Sequence, residues 1–559
     1  MTSGSRGERQ FRLGWPLFLA CWAAAAAVTV VLGRDANWDL RHYHLYNAYA
    51  LLAGRWDLDL APAGVHGFLH PGLDLPYFLL TQSALNAWPR AVAVLQAGYA
   101  GLLAFLVLIV CNVACHGRAG FVTFRSAVVA AFGLTGAATI SEVGTTFNDV
   151  QVGCLVIGAL LALLRAAEAD DAGMDGRAAR LRLLAGTLGG GAVGLKLTAV
   201  IFPPALAAAA LIAVGAVRGT HVSSRRRSCA AGLLLVGSIL GFVIAYGPWG
   251  WFLHDRFGSP FGPFFNEAFG SPWFPSSTAR DRRFLPEGLG QALIYPLLWA
   301  RGDEMIVAEP WMADPRFAIG LAALLIVAVA RSWRWSAQDR SRSAVAAAPS
   351  EADRAAQRAQ SVVMAFLAVG YVAWLSTFSI LRYAIPLEVL LGIPVWAAAR
   401  AVVGQTGRGA AASVVALLGA CALGTQYPDW DRQPFGQAAV ASERVPLPEG
   451  ALVVLVGEGV SFLAPSLVGA GVRFIGANAL TTDPRAVLLE RAVRRILGAH
   501  AGPLYAVMRD PELWEDPLHR VERAPARALG LVLDPSSTAC RPVANNLGAM
   551  IRLCQLRPS

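Results

Sequence analysis

Eleven apolar stretches recur along this chain, at 15–33, 91–115, 126–141, 151–167, 183–198, 199–217, 230–253, 317–331, 361–380, 383–399 and 410–426. Each is about 15–25 residues long, which suits a hydrocarbon core about 30 Å thick. A backbone crossing that core has to satisfy its own hydrogen bonds, so helices are the expected outcome. Composition agrees: 55% of the 559 residues are hydrophobic and 15% are charged, against about 25% charged in an ordinary soluble chain. Residues 1–426 are therefore predicted to form an all-α polytopic membrane bundle of about 11 transmembrane helices.

Arginines set the expected orientation. Arg6, Arg9 and Arg12 precede the first stretch, and later clusters fall at Arg118/Arg125, Arg177/Arg180/Arg182, Arg218/Arg225/Arg226/Arg227, Arg331/Arg334/Arg340/Arg342 and Arg400/Arg408. With these spans, all lie on the side of the N-terminus, which the positive-inside rule assigns to the cytoplasm. The net charge of +10 is thus a topology signal, and no nucleic-acid partner is expected. Loops 34–90 and 254–316 and the tail 427–559 fall outside. The segment 288–300 is expected as an external helix on the membrane surface, because a crossing there would move the arginines of 331–358 to the wrong side. The first stretch, despite its small residues at 23–27, has the length of an uncut anchor. Residues 336–360, rich in Ala, Ser, Arg and acids, are expected as a flexible cytoplasmic loop.

From residue 427 the composition becomes that of a soluble domain. Strands are expected at 451–457, 472–476, 503–509 and 528–534, and helices at 461–470 and 484–497, giving a small extracytoplasmic α/β domain. Gly457-Glu458-Gly459 follows a strand as a dinucleotide fingerprint would, but Phe462 occupies the third glycine position, and an acceptor-positioning or structural domain is the better reading. Six cysteines lie in or beside apolar stretches; Cys540 and Cys554, in the polar tail, are expected to pair outside the cytoplasm.

Several residues near external span ends could carry chemistry. A helix over about 40–53, capped by Asn37 or Asp39, places Asp39, His42, Tyr43, Tyr46 and Ala50 on one face. Lys196 is the single lysine among 47 basic residues. It sits in Gly194-Leu195-Lys196, and its ammonium suits either an anionic partner such as phosphate or snorkelling to the headgroups. The preceding glycines do not make a P-loop, since Leu195 separates Gly194 from Lys196; Gly186, Gly190 and Gly194 fit close helix packing instead. The loop 141–149 brings Glu142 and Asp149; both can cap the adjoining helices, and Asp149 can also stand as a second acid facing Asp39. Arg382 opens the tenth stretch, as a phosphate fork or an interface anchor. The aromatic, proline-rich loop 247–266 suits the headgroup level. His66 and His70, at i and i+4, form a weak metal pair.

The order of these pieces resembles the integral-membrane glycosyltransferases of the GT-C superfamily. Asp39-Leu-Arg-His-Tyr43 followed by Ala50-Leu-Leu-Ala-Gly54 is similar to the first-loop motif of the polyprenyl-phosphate-sugar-dependent enzymes, and Phe68-Leu-His-Pro-Gly-Leu-Asp-Leu-Pro-Tyr-Phe78 resembles the close of that loop. Thr146–Asp149, Gly194-Leu-Lys196, the loop from Pro248 to Asn266 and Arg382-Tyr-Ala-Ile-Pro386 occupy similar places. The likeness spans about residues 15–400 and implies an inverting hexosyl- or pentosyltransferase of a bacterial inner membrane. Its donor would be a polyprenyl-phosphate sugar and its acceptor a glycan or lipid of the cell envelope. Asp39 would act as general base, and Lys196, Arg382 and His42 would stabilise the departing phosphate; Tyr43 and Tyr46 would line the substrate site. The acid pair common in such families is absent, because Trp38 and Leu40 flank Asp39. Asp149 or Asp35 would supply a second carboxylate, and a divalent metal is a possible but uncertain cofactor. Other classes compete: a lipid-linked-glycan ligase or polymerase, which predicts arginine clusters for a diphosphate donor; a transporter, which predicts polar groups at mid-membrane depth; and a non-catalytic glycolipid-binding relative.

Overall fold

The computed structural model describes residues 10–118, 120–215, 224–276, 281–302, 306–338, 350–403, 407–509, 524–531 and 540–556. The chain enters α1 (Trp15–Leu32), runs through a loop carrying α2 (Leu45–Leu52), and continues into α3 (Pro89–His116). Two short helices, α4 (Phe124–Leu134) and α5 (Ala137–Ser141), precede α6 (Asp149–Asp171), α7 (Asp175–Leu195), α8 (Leu197–Val214) and α9 (Ser224–Phe257). Then come the short α10 (Leu289–Trp299), α11 (Arg316–Trp333), α12 (Glu351–Thr377), the bent pair α13 (Leu381–Glu388) and α14 (Gly392–Val402), and α15 (Gly407–Gly424). Among the described residues, eight of these helices are long and apolar enough to cross a membrane: α1, α3, α6, α8, α9, α11, α12 and α15. The pair α13–α14 makes a ninth, broken by a 48° bend.

Two of the eleven expected crossings take another form. The stretch 126–141 is split between α4 and the five-residue α5, with Gly136 extended at the break. The Glu388 carboxyl occupies the space a Cβ on Gly136 would need. The stretch 183–198 lies mostly in α7, a 21-residue helix whose Arg177, Arg180 and Arg182 and run of glycines lower its hydropathy. Those glycines are contact surface. A Cβ on Gly186 or Gly190 would run into the carbonyl oxygens of Leu234 and Ser238 on α9, and one on Gly194 would come within 2.7 Å of the Ala245 Cβ. Gly237 and Gly241 of α9 return the fit against Leu183 and Thr187. The backbones approach closely because side chains are absent along the seam, as small-residue packing in membranes requires.

The bundle has two unlike ends. At one, Arg182 and Arg226 both hold Asp170, and Arg358 holds Asp171, tying α6, α7, α9 and α12 together. Asp149 opens α6 at the other end, among the groups described below. The helix α12 begins at Glu351, capped by Ser350 Oγ accepting from Asp353 N at 3.1 Å, so the latter part of the expected loop 336–360 is ordered helix; residues 339–349 lie outside the described residues. The segment expected on the membrane surface is α10, which leaves Leu289, Leu293 and Leu297 exposed while burying Tyr295 and Trp299.

The C-terminal region is an α/β domain. Strands β1 (Leu452–Val456), β2 (Arg473–Ala477), β3 (Leu504–Arg509), β4 (Cys540–Pro542) and β5 (Ile551–Leu556) form one sheet of order β2-β1-β3-β5-β4, with helix α16 (Val487–Ala499) alongside. The first three strands are parallel; β5 runs antiparallel to β3, and β4 antiparallel to β5. Alternation along β1 divides its contacts: Val453 and Leu455 pack with Leu40, Tyr43 and Leu45 of the first loop, while Leu452, Val454 and Val456 pack with Val493 of α16. The sheet is thereby bonded to the loop that carries Asp39. Cys540 and Cys554 face each other across β4 and β5 and are joined in a disulfide. The expected strand at 528–534 is absent where it is described, since 524–528 is helical; β4 and β5 provide the remaining strands.

Candidate active site

The loop after α1 enters its helix through a π-helical turn, Leu40–His44, before α2. Asn37 is its cap, with Oδ1 accepting from Leu40 N at 2.7 Å. Asp39 makes no cap bond and its carboxylate turns inward. The wider π turn departs from the α spacing, and the expected single face separates. Tyr43 stays with Asp39, its hydroxyl donating to Oδ2 at 2.9 Å. His42 turns to the C-terminal domain, where Gly459 N donates to its Nδ1 at 3.1 Å and Ser461 Oγ bonds its carbonyl oxygen. Tyr46 points elsewhere altogether, donating to Asp59 at 2.9 Å beside Arg55.

Three further elements converge on Asp39. The loop between α5 and α6 is fixed by Thr146, whose N–H and hydroxyl both donate to Asp35 Oδ2 at 2.8 Å, and it ends at Asn148 with φ 69° before Asp149. Lys196 sits where α7 gives way to extended backbone. Its ammonium donates to Asp149 Oδ1 at 2.6 Å and to the Phe147 carbonyl at 2.7 Å. Arg382, in the turn opening α13, donates to Asp39 Oδ2 at 2.8 Å and lies 3.9 Å from Asp149 Oδ2. The rings of Phe147 and Tyr383 lie 4.9 and 5.1 Å from its guanidinium. Four residues from distant parts of the chain thus form an alternating row of charges, Asp39–Arg382–Asp149–Lys196.

The row is unevenly covered. The side chains of Asp39 and Asp149 are 5% and 4% exposed, those of Arg382 and Lys196 12% and 16%. Burial pushes the Asp39 carboxyl up, but Arg382, with His44, His66 and Lys196, overrides it and holds the group well below the ordinary carboxylate range. Burial and the Asp39 charge raise the Tyr43 phenol well above its usual value, so it stays a hydrogen-bond donor.

His66 belongs to this site, a position not anticipated by pairing it with His70. Its ring stacks on Tyr43 at 5.2 Å and meets His42 edge-on at 5.0 Å. Burial, partly opposed by Asp39, lowers its pKa to about 4, and burial and His66 lower that of His42. Both imidazoles are neutral at pH 7. His70 is separate, its Nδ1 accepting from Gly72 N at 3.0 Å. Among the described residues no group of three or more His, Cys, Asp or Glu is arranged to hold a metal. His44, bonded to Asp74 at 2.6 Å with Asn148 on the same oxygen at 2.8 Å, braces the first loop against the Asp149 loop. Neither that brace nor the rings of Phe147 and Tyr383 left a signal in the sequence beyond proximity to Asp149 and Arg382.

No family model matches the chain, and no curated protein matches it. Among solved structures it is similar to a crystal structure of ArnT from Cupriavidus metallidurans bound to undecaprenyl phosphate. The alignment covers 96% of this chain and 97% of that one, at 14% identity and a TM-score of 0.48.

Proposed function

We propose that this protein is a GT-C-type membrane glycosyltransferase that moves a sugar from a polyprenyl-phosphate donor to an acceptor hydroxyl at the extracytoplasmic face, with inversion. The observation that carries this reading is the row Asp39–Arg382–Asp149–Lys196 at one end of an apolar bundle. A polyprenyl chain suits the lipid-facing bundle, and its phosphate suits two cations more exposed than their carboxylate partners.

Asp39 as base has to be reconciled with its low proton affinity in the row, since a base works best with a pKa near the working pH. Donor binding supplies the adjustment. A phosphodiester that draws the fork of Arg382 from Asp39 removes the main charge depressing that carboxyl, and its basicity rises when the substrate is in place. Asp39 then takes the proton of the acceptor hydroxyl as that oxygen attacks the anomeric carbon. The bond to the phosphate oxygen breaks, and the charge growing there falls on Arg382 and Lys196. Tyr43 fixes the Asp39 carboxylate with His66 stacked on its ring, and His42, neutral and engaged by Gly459, brings no positive charge to the departing phosphate, the role the sequence reading expected of it. In this reading the C-terminal domain is extracytoplasmic and helps to position the acceptor, and the N-terminus is cytoplasmic.

The test is transfer from a panel of polyprenyl-phosphate sugars into membrane lipids and glycans by wild type and Asp39→Asn. Loss of about 10²–10⁴-fold in the variant, with normal expression, is the expected outcome for a missing base; undiminished transfer removes Asp39 from the mechanism. Because each carboxylate of the row is already matched by a cation, transfer is expected to persist in EDTA, and a strict metal requirement would reassign the pair to a metal.

A further inference from the structure

A third carboxyl, Glu142, lies in the same loop as Asp149 with no ion pair of its own among the described residues, the charge of Arg432 acting on it only at a distance. Glu142 is 1% exposed, and neither of its oxygens has a hydrogen-bond donor among the described residues. The cations around it are engaged. Lys196 bonds Asp149 and the Phe147 carbonyl, and Arg382 bonds Asp39. Arg432, which reaches the same loop from beyond α15, donates to the carbonyls of Gly33, Ser141 and Val143 at 3.2, 2.8 and 2.7 Å. Asp35, on the far side of the loop, is saturated by Thr146 and Asn37. Asp149 Oδ2 is likewise buried without a hydrogen bond.

An isolated carboxylate in such surroundings is costly enough that the group takes up a proton instead. A neutral carboxyl then has one hydrogen to donate, and Asp149 Oδ2 is an unpartnered charged acceptor in the same loop. We propose that Glu142 stands as a neutral carboxylic acid donating to Asp149, directly or through one buried water, and so releases Lys196 from Asp149 to the phosphate of the incoming donor. This rests on the reading of Lys196 as a phosphate ligand. Glu142 is a positioning residue: no bond forms or breaks at it, and it keeps its proton throughout.

Charge balance shows what the proton achieves. With Glu142 neutral, Asp39, Asp149, Lys196 and Arg382 sum to zero, and a phosphodiester brings the site to one negative charge. With Glu142 ionised the site is already at minus one, and a second negative charge acts on Lys196 beside that of Asp149. Burial pushes the Glu142 carboxyl well above its ordinary value; Asp149 and Asp39 act in the same direction, and Lys196 and Arg382 offset them only in part. A raised carboxyl is protonated at neutral pH and ionises as the pH climbs, so donor affinity declines on the alkaline side.

The experiment uses the full chain in nanodiscs and a polyprenyl methyl phosphodiester, whose charge is constant in this range. Wild-type affinity is expected to fall above the pKa of Glu142 with a limiting slope of about tenfold per pH unit, as for one linked proton. Glu142→Gln, which keeps a donor but cannot ionise, should bind with no alkaline limb. The infrared band of a buried protonated carboxyl should be present in the wild type and lost in the variant. Should the variant fail to fold, the wild-type band and its disappearance with rising pH carry the test. An unchanged alkaline limb in Glu142→Gln, or a wild type without the band, overturns the inference. A Lys196→Ala chain that binds the probe as tightly as wild type would instead overturn the phosphate site, while the band still reports on Glu142.

Discussion

Lys196 carries two readings from the sequence, phosphate ligand and snorkelling anchor, and its removal tests both. Its ammonium is turned onto Asp149 and the Phe147 carbonyl, so its removal has two effects that can be told apart. Lys196→Ala leaves Asp149 buried without its hydrogen-bonded cation, Arg382 remaining only at 3.9 Å, and thermal unfolding should register a loss of about 3 kcal/mol. Adding Asp149→Asn should recover most of that stability, while donor affinity stays low because the cation is still missing. A double-mutant cycle on both readouts checks this, and unchanged donor kinetics in both variants would return Lys196 to a lipid-facing role. The imidazoles give a second prediction. His66, at about 4 when folded against 6.5 as the ordinary value, takes its proton preferentially in the unfolded chain, and His42 is shifted the same way. Stability should be full above about pH 6.5 and fall towards pH 4, by up to about 1.4 kcal/mol per pH unit for each group. His66→Phe should flatten the slope in denaturant titrations run across that window.

Packing between elements decides whether those residues meet. Lys196 is placed by the end of α7, and α7 is placed by its glycine seam on α9. A leucine at Gly190 has nowhere to go except into the Ser238 carbonyl. Gly190→Leu should therefore force the helices apart, cost more than the 1–3 kcal/mol usual for overpacking (about that range being typical of cores), and weaken donor binding by displacing Lys196. Gly232, whose Cβ would meet nothing, is the control: Gly232→Leu should leave thermal stability within about 0.5 kcal/mol. The turn holding Arg382 is located in another way. Glu388, at the far end of α13, accepts from the backbone N–H groups of Ala138 and Thr139 at 3.2 and 2.7 Å and from the Thr139 hydroxyl at 2.5 Å. The arginine turn and the loop leading to Asp149 are thus linked through one carboxyl. The bend between α13 and α14 and the break between α4 and α5 occur at this linkage, where two continuous spans could not have brought their loops together.

At the scale of the whole molecule, the membrane bundle and the C-terminal domain share the site's walls. Arg34 pairs its backbone with Gln433 and its side chain with the carbonyls of Ala439 and Asn546, and Leu60 bridges to Ile475 at the edge of β2. The domain is stapled at its other edge by Cys540–Cys554. Replacing both cysteines by serine should cost about 2–4 kcal/mol, the usual worth of a disulfide closing a short loop. Thiol counts on the denatured chain before and after reduction, with denaturant unfolding of the intact chain, measure it; eight free thiols rather than six in the unreduced protein would contradict the bridge and with it an extracytoplasmic tail.

Apolar length was enough to indicate a polytopic helical bundle, because a bilayer rewards one feature, a run of apolar residues, that is local to each segment. The glycine seam of α7, three strands of the C-terminal sheet and the Cys540–Cys554 pair were legible for the same reason, each being written in a few consecutive residues or in a compartment's chemistry. Asp39, Asp149, Lys196 and Arg382 could be singled out individually as polar groups at span ends. Their alternation in one row, the departure of Tyr46 through a π turn, the entry of His66 and the isolation of Glu142 came only with the tertiary structure. Those depend on which side chains end up within about 3 Å of one another, and that is set by helix breaks and by packing between residues from 47 positions apart, as for Asp149 and Lys196, to 343 apart, as for Asp39 and Arg382, which no local pattern encodes.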